Sequence, residues 1–393
     1  MNINRWLLPE GIEEVLPEEA RPLEALRRQL LDLFDRWGYE MVIPPFVEYI
    51  ESLLTGMGHD LDLQTFKLID QRNGRLMGVR ADMTPQVARI DAHRLNREEP
   101  TRLCYVGTVL RTQGDGFGGS RSITQIGAEL YGHAGIESDI ELLSLMLTML
   151  NACELESVNV DLGHVAIFRG LTQQAGLDSE QESALFDALQ RKAAPEIAAL
   201  LADWNLAADS RTMLTALVWL NGDVSVLAEA QLKLSKANED VQTALSELKI
   251  VADCLQAQHP QTPLHFDLAE LRGYHYHTGL VFAAYQPGMG QAIAQGGRYN
   301  DIGAVFGRAR PATGFSADLR SLLQQKNANR AGNTAIYAPA GNDAALLSKI
   351  ADLRKSGERV VQALPGQAGN AVSMGCNRQL VLEKNQWVIN TIS

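Results

Sequence analysis

The chain has 393 residues, of which 46% are hydrophobic, 21% are charged and 6% are aromatic. This composition predicts a globular protein with one large core and a smaller second one, and it excludes collagen-like, low-complexity and mainly disordered chains. No apolar run approaches the roughly 18 residues that span a membrane, and the N-terminus lacks the apolar stretch of a secretory signal. We therefore expect a cytoplasmic protein that does not interact with a membrane.

The charged residues leave an acidic excess. There are 35 Lys and Arg residues against 47 Asp and Glu residues, which gives a formal net charge of −12. This balance disfavours general binding to phosphate backbones, so nucleic acid is not an expected partner. The four cysteines have no CxxC spacing, which favours reduced thiols over a disulfide framework or a zinc site: Cys104, Cys153, Cys254 and Cys376.

The first half of the chain alternates helices with hairpins. Its predicted elements are a helix from Pro17 to Gly38, strands at 39–43, 66–70 and 76–80, a helix at 84–95, strands at 103–110 and 123–131, and a helix around 140–147. Asn73-Gly74 is a strong hairpin turn signal. Because regular βαβ alternation is missing, the pattern predicts an α+β fold with a largely antiparallel sheet flanked by helices, rather than a parallel doubly wound sheet.

The second half begins with a change of composition. Residues 164–257 are rich in Ala, Leu, Gln and Glu, which predicts a helical insertion. Further elements are predicted as strands at 264–267, 279–285 and 292–294, a helix at 319–325, and, after a linker at 324–332, strands at 335–338, 360–361 and 379–382 with a helix at 343–355. We therefore expect a core domain over 1–325, with the insertion inside it, and a small C-terminal α/β domain over 333–393.

Two polar positions stand where apolar strands end. Asp82 and Thr84 lie between a strand and a helix that has Pro85 in its first turn, so they are either a helix cap or part of a site. Arg111 ends another apolar strand, where an arginine either points into solvent or binds a ligand. The stretch 296–301 lacks the spacing of a phosphate loop, and its glycine pair is a weak signal.

A third and a fourth segment concentrate polar groups. Gln125, Gly127 and Glu129 share one face of a strand, so that face either meets water or floors a polar pocket. His275 and His277 raise the question of a metal, but no HExxH pattern or second ligand pair accompanies them. We expect no metal site, and spacing alone places no catalytic triad.

In this order, the segments resemble the catalytic core of class II histidyl-tRNA synthetases over about residues 9–325. The matching segments are Arg80 to Arg89, Leu110 to Gln113 (motif 2), Gln125 to Glu129, Leu271 to Gly279 (the histidine-specific segment) and Gly297-Arg298-Tyr299. The resemblance implies an antiparallel sheet flanked by helices.

The departures from that family concern ATP. The motif 2 glutamate is Gln113 and the phenylalanine before the arginine is Leu110. In motif 3 the arginine implied to hold the γ-phosphate falls on Ser321, and a glycine falls on Asp318. Replacing a cation by serine, beside an added carboxylate, should repel a triphosphate. We therefore expect no ATP chemistry, no catalytic residue and no cofactor.

The half of the pocket that binds the amino acid is better kept. By the resemblance, Asp82, Thr84 and Gln125 surround the ammonium of histidine, Arg111 holds its carboxylate, and Glu129 and His277 reach its imidazole. Asp82 replaces a glutamate of the family, His277 replaces a tyrosine, and Arg272 keeps the family's arginine. The expected histidine-binding residues are Asp82, Thr84, Arg111, Gln125, Glu129, Arg272, Tyr276 and His277.

With an expected histidine pocket and no expected ATP chemistry, this chain resembles the family of ATP phosphoribosyltransferase regulatory subunits, which are paralogues of the synthetase. The segment from Tyr274 to Gly279 is characteristic of that family. The resemblance implies self-association as a dimer and a hetero-octamer with the short catalytic ATP phosphoribosyltransferase, which the subunit activates and makes sensitive to histidine. Two alternatives stay open at this point, an active histidyl-tRNA synthetase-like enzyme and a stand-alone histidine sensor. The contact surface for the catalytic subunit and the role of residues 333–393 are not predicted.

Overall fold

The computed structural model describes residues 6–54, 59–114, 119–155, 157–270, 273–274, 276–325 and 335–392. The chain divides into two compact units, residues 1–326 and 327–393. Among the helices in these ranges, none is both long enough and apolar enough to cross a membrane.

The first unit contains helices and strands in irregular alternation. Its first part comprises α1 (Pro17–Arg36), β1 (Glu40–Met41), β2 (Val47–Tyr49), α2 (Ile50–Leu53), α3 (His59–Gln64), β3 (Phe66–Ile69), β4 (Leu76–Val79), α4 (Thr84–Arg89), a π-helical turn (Ile90–Leu95), β5 (Thr101–Leu110), β6 (Ser122–Tyr131) and α5 (Ile136–Ala152). Its second part comprises β7 (Asn159–His164), α6 (Val165–Ala175), α7 (Ser179–Gln190), α8 (Ala194–Asp203), α9 (Ala208–Leu217), β8 (Asn221–Gly222), α10 (Ser225–Lys233), α11 (Glu239–Gln258), β9 (Leu264–Asp267), β10 (Leu280–Tyr285), β11 (Ala294–Arg298), a 3₁₀ turn (Ala304–Phe306), β12 (Ala312–Asp318) and α12 (Leu319–Gln325).

Nine strands form the central sheet, in the order β1-β5-β6-β12-β11-β10-β7-β9-β8. The pairs β1–β5 and β7–β9 are parallel, and the other neighbours are antiparallel. The prediction of an α+β fold with a largely antiparallel sheet is thus confirmed. A separate hairpin of β3 and β4 pairs Ile69 with Leu76 across the Asn73-Gly74 turn, as the sequence predicted, and β2 adds to it.

Helix α1 is amphipathic, and its sequence accounts for its buried face and its C-terminal end. Pro22 is tolerated in its early turns, and Leu26, Leu30 and Phe34 form the buried stripe. Gly38 adopts φ +81° and donates its N–H to the carbonyl of Asp35, which ends the helix as predicted. The following strand, β1, is shorter than the predicted 39–43, although the N–H of Val42 still donates to the carbonyl of Cys104.

The stretch over 84–95 is helical, as predicted, with α4 passing into a π-helical turn over Ile90–Leu95, after which Asn96 has φ 48°. Two strands differ from the prediction. Strand β12 was not predicted, although it lies at the middle of the sheet, and the strand predicted at 292–294 is found at Ala294–Arg298, as β11. A side chain at Gly296 would overlap the backbone of Gly314 on β12, so close strand pairing explains this glycine.

The insertion carries six helices, α6 to α11, whose apolar faces join the main core. The second unit contains β13 (Ala335–Ala338), α13 (Ala344–Lys355), β14 (Arg359–Gln362), β15 (Cys376–Glu383) and β16 (Gln386–Thr391), and its sheet has the order β14-β13-β15-β16. Strand β16 was not predicted. Helix α13 buries Leu346 and Ile350 against Ile336 and Leu380 of this sheet.

Candidate ligand-binding site

A cavity of about 370 Å³ opens over the central sheet of the first unit. Its floor follows the sheet register, in which Glu129 on β6 lies opposite Gly314 on β12, and Gly314 lies next to Gly297 on β11. A side chain at Gly314 would overlap the Glu129 carboxylate, and a Cβ at Gly297 would lie 2.9 Å from His277 Nδ1. The glycines therefore make the space in which larger polar side chains stand.

Glu129 is the most buried acid of the cavity, with 1% of its surface exposed. Its carboxylate accepts hydrogen bonds from the hydroxyl of Tyr105, at 2.9 Å, and from that of Tyr299. Burial raises the pKa of the Glu129 carboxyl to about 8, although the two tyrosine hydroxyls oppose that shift. A cation placed beside this carboxyl would favour its ionised form.

Asp82 was predicted either to cap a helix or to belong to a site, and it contacts both the start of α4 and the cavity. Its Oδ1 accepts the N–H of Thr84 at 2.9 Å, which caps the start of α4, and it also accepts the side-chain amide of Gln125 at 2.9 Å. The Oε1 of Gln125 in turn accepts the N–H of Met83 at 2.9 Å. Asp82 and Thr84 line the cavity, whereas Gln125 stands behind Asp82 and fixes its orientation.

The histidine-specific segment forms a tight turn at the cavity wall. The carbonyl of Gly273, whose φ is +65°, accepts the N–H groups of Tyr276 and His277 at 2.8 and 2.7 Å. His277 is half-buried, and desolvation of its ring lowers its pKa to about 4, so the imidazole is neutral at physiological pH. Tyr276 stacks on Tyr299, with ring centroids 5.0 Å apart, and its buried hydroxyl has no hydrogen-bond partner among the described residues.

The predicted arginines stand differently from the other site residues. Arg111 is half-buried just after β5, where its backbone forms an isolated antiparallel β-bridge with Thr65. Its Nε donates to the carbonyl of Ala81 at 3.5 Å, and its side chain does not line the cavity. Arg272 lies outside the described residues, as does His275. The structure thus brings Asp82, Thr84, Glu129, Tyr276 and His277 together around one cavity, with Gln125 in support.

Two tyrosines that organise the site were missed from the sequence. Tyr299 belongs to the Gly297-Arg298-Tyr299 signature, which could have indicated it, while Tyr105 sits in an apolar strand without any local signal. Tyr105 is recognisable only through the sheet register, where it lies opposite Gly127. A Cβ at Gly127 would lie 2.5 Å from the Tyr105 hydroxyl, so this glycine admits the tyrosine.

The charges of the cavity lining are all of one sign. Asp82, Glu129, Asp161 and Glu270 supply four carboxyl groups, and no Lys or Arg belongs to the lining as far as the structure describes it. This environment suits an ammonium or imidazolium group and is unfavourable for a phosphate. No group of three His, Cys, Asp or Glu side chains within the described ranges is arranged to hold a metal ion.

The motif 3 positions lie where β12 passes into α12, with Asp318 ending the strand opposite Gln125 of β6 and Ser321 on the helix. Asp318 accepts the hydroxyl of Ser321 at 2.7 Å and the backbone N–H groups of Thr124 and Arg320 at 3.2 Å. The guanidinium of Arg320 pairs with Glu13 and Glu19 at 2.7 and 2.6 Å. These groups satisfy one another and do not line the cavity.

Comparison with known proteins agrees with this arrangement. The sequence profile of the histidyl-tRNA synthetase family matches residues 11–322. Among solved structures, an ATP phosphoribosyltransferase regulatory subunit/histidyl-tRNA synthetase from Bacillus halodurans superposes with a TM-score of 0.82 at 27% identity, covering 94% of this chain and 96% of that one. A histidyl-tRNA synthetase from a Nostoc species gives a TM-score of 0.79 at 17% identity, with coverage of 98% and 97%, which supports the fold alone.

Sequence relatives cover the chain end to end. A regulatory subunit of ATP phosphoribosyltransferase from Thioalkalivibrio sulfidiphilus is 60% identical over 99% of both chains. Another from Pseudomonas aeruginosa is 58% identical over 98% of both chains. Residues 333–390 match the profile described as the ATP phosphoribosyltransferase subunit HisZ C-terminal domain. The chain therefore belongs to the family of ATP phosphoribosyltransferase regulatory subunits, built on a histidyl-tRNA synthetase-like core.

Proposed function

We propose that this chain binds L-histidine without activating it, and that it conveys histidine feedback to the short catalytic subunit of ATP phosphoribosyltransferase at the first step of histidine biosynthesis. The observation that carries the proposal is the cavity lined by four acids without a described cation. Such a cavity accepts the positively charged groups of an amino acid and repels a nucleoside triphosphate. The relatives' names supply the enzyme to which this binding would be coupled.

In the proposed complex, the ammonium of histidine meets Asp82 and Thr84, with Gln125 holding the Asp82 carboxylate in place. The imidazole lies between Glu129 and His277, where the buried Tyr276 hydroxyl gains the partner it lacks. The histidine carboxylate needs a guanidinium, and Arg111 remains our candidate for it. Arg272, which lies outside the described residues, stays an expected binding residue without an assigned group. Arg111 would have to turn from the carbonyl of Ala81, which it contacts at 3.5 Å.

The absence of ATP chemistry is supported by the region around Ser321. A motif 3 arginine would offer a guanidinium to the γ-phosphate, whereas here a hydroxyl and a carboxylate bond each other at 2.7 Å. Arg320 is the neighbouring cation, but two glutamates already neutralise it. We infer that neither a cofactor nor a nucleotide takes part in the function of this chain.

For the assembly, we propose a dimer of this chain that combines with the catalytic subunit into a hetero-octamer in the cytoplasm. Strand β1 is an edge of the central sheet, and Met41 and Ile43 expose apolar side chains there. An open apolar edge of this kind favours pairing with a second copy. The net charge of −12 makes nucleic acid an unfavourable partner.

Three measurements on the purified chain test the proposal. Calorimetry should detect histidine binding, and mixing with a short-form catalytic subunit should yield a larger assembly whose turnover rises and is inhibited by histidine. ATP–pyrophosphate exchange should stay at background. Robust histidine-dependent exchange would establish a synthetase-like enzyme instead, and histidine binding without any assembly or change of turnover would establish a stand-alone sensor.

A further inference from the structure

The turn that carries Tyr276 and His277 has a second side, which faces the helical insertion. Tyr274 is 5% exposed, and its ring packs against Phe168 on α6 and Phe186 on α7, with centroid distances of 5.3 and 5.5 Å, while those two rings also contact each other. Its hydroxyl donates a hydrogen bond to Glu182 Oε1 on α7 at 2.6 Å. A single side chain of the turn is thus held by two helices of the insertion.

Arg169 on α6 holds the backbone of the same turn. Its Nη2 donates to the carbonyl of His277 at 3.2 Å and to that of Tyr274 at 3.4 Å. The guanidinium carbon also lies 5.2 Å from the centre of the Tyr274 ring. His277 lines the cavity and accepts a hydrogen bond from Arg169 with its carbonyl. A movement of His277 therefore changes its contact with α6.

We propose that Arg169, Glu182 and Tyr274 are positioning residues, a clamp that sets Tyr276 and His277 for the ligand and couples occupancy of the cavity to helices α6 and α7. The inference rests on the proposed function for the identity of the ligand, histidine. The carbonyl of Gly273 accepts the N–H groups of both Tyr276 and His277, which ties the backbone of these two residues together. A ligand that engages the Tyr276 hydroxyl favours one position of the turn, and the clamp favours the matching position of the insertion.

The decisive variant is Tyr274→Phe, which keeps the ring packed against Phe168 and Phe186 and removes the hydroxyl, with its bond to Glu182 and its interaction with the Arg169 guanidinium. We expect histidine affinity to fall about fivefold to tenfold, the scale of one hydrogen bond. Hydrogen exchange measured with and without L-histidine should show that the ligand slows amides of both β6 and α7 in the wild type. In the variant the slowing should persist in β6 and be lost in α7.

Two controls separate positioning from plain destabilisation. Tyr39→Phe removes a matching tyrosine–glutamate bond, from the Tyr39 hydroxyl to Glu141 at 2.8 Å, and should leave histidine affinity and the α7 response unchanged. Glu182→Gln keeps a carbonyl acceptor for Tyr274 and should retain most of the affinity, whereas Glu182→Ala should behave like Tyr274→Phe.

The outcomes discriminate between the two proposals. If the wild type binds histidine and Tyr274→Phe shows the same affinity and the same slowing in α7, the clamp is overturned while the proposed function stands. If Tyr39→Phe reproduces the losses of Tyr274→Phe, the effect is one of general stability and the clamp is again overturned. If the wild type binds no histidine, the proposed function fails and the clamp fails with it.

Discussion

The cavity and the motif 3 junction are neighbours along β12, yet their chemistry differs. Gly314 leaves room for the buried carboxyl of Glu129, and the Tyr276 hydroxyl nearby has no hydrogen-bond partner among the described residues. Asp318, at the end of β12, and Ser321, on α12, bond each other. The first region thus keeps one polar group that a ligand can complete, while the second has completed its hydrogen bonds internally.

Under the proposed function, this contrast explains how a synthetase-like fold keeps recognition of an amino acid while losing that of a nucleotide. Few substitutions abolish nucleotide binding, because one missing guanidinium and one added carboxylate reverse the charge that a triphosphate meets. Amino-acid binding, by contrast, depends on many residues that must all be kept, since Glu129 depends on Tyr105, Tyr299 and the glycines around it.

The largest expected effect is that of Glu129→Ala, which removes the buried carboxyl group of the cavity. Removing the carboxylate leaves a bound cation unpaired in a buried site, so histidine affinity should fall about 100-fold, or roughly 2.7 kcal/mol. Calorimetric titration with L-histidine gives the comparison, and Ser321→Ala is the control that should bind like the wild type. Unchanged affinity in Glu129→Ala would show that histidine binds elsewhere.

Stability should also depend on pH through Glu129 and His277. The folded protein raises the pKa of Glu129 from 4.5 to about 8, so its contribution is full below pH 4.5 and is lost as the pH rises towards 8. Burial lowers the pKa of His277 from 6.5 to about 4, so that contribution grows as the pH rises to 6.5. The two effects oppose each other below pH 6.5, and only that of Glu129 remains above it.

We therefore expect the free energy of unfolding of the ligand-free protein to fall by about 2 kcal/mol between pH 6.5 and 8, at up to ~1.4 kcal/mol per pH unit. Denaturant titrations at several pH values measure this, and Glu129→Gln should remove most of the fall. Parallel pH profiles for the wild type and Glu129→Gln would contradict the assignment of the shifted carboxyl.

Tyr276→Phe sharpens the comparison through two effects of opposite sign. Its hydroxyl has no hydrogen-bond partner within the described ranges, so removing it should leave the stability of the ligand-free protein unchanged or slightly raised. Histidine affinity should nevertheless fall about tenfold, or roughly 1.4 kcal/mol, because the ligand loses a hydrogen bond. Thermal denaturation and calorimetry report the two effects, and a loss of stability with unchanged affinity would refute the assigned role.

The smallest effect is expected where the motif 3 residues are restored. The double variant Asp318→Gly/Ser321→Arg returns a guanidinium to the junction, but Gln113 still differs from the family and the cavity remains acidic. We expect weak ATP binding at most and no pyrophosphate exchange. Exchange well above background would mean that these two positions alone account for the loss of activity.

The sequence anticipated the parts of the fold that local patterns determine. Helix α1, the Asn73-Gly74 hairpin and the strand pair β5–β6 follow from periodicity, caps and turns. The strand predicted at 292–294 stopped short of Gly296-Gly297 in β11, and β12 was missed. The reason is that glycines are typical of loops, and only cross-strand neighbours explain those of these strands. Gly314, for instance, faces the Glu129 carboxylate, which is far away in sequence.

The candidate site divides in the same way. The alternation of Gln125, Gly127 and Glu129 left open a solvent-facing or a pocket-lining strand, and the structure decides for the pocket, because Gln125 and Glu129 are buried. The position of Arg111 outside the cavity lining, by contrast, depends on its backbone β-bridge with Thr65 and on its contact with the Ala81 carbonyl. Such contacts between distant segments leave no trace in a local pattern.

Titration calorimetry of the full chain with L-histidine, performed without and with ATP–Mg²⁺, tests the central claim most directly. Our account predicts that histidine binds saturably and that its affinity is the same in both titrations, since the cavity is retained and the nucleotide positions are not. Absence of histidine binding, or an affinity that rises when ATP–Mg²⁺ is present, would contradict it.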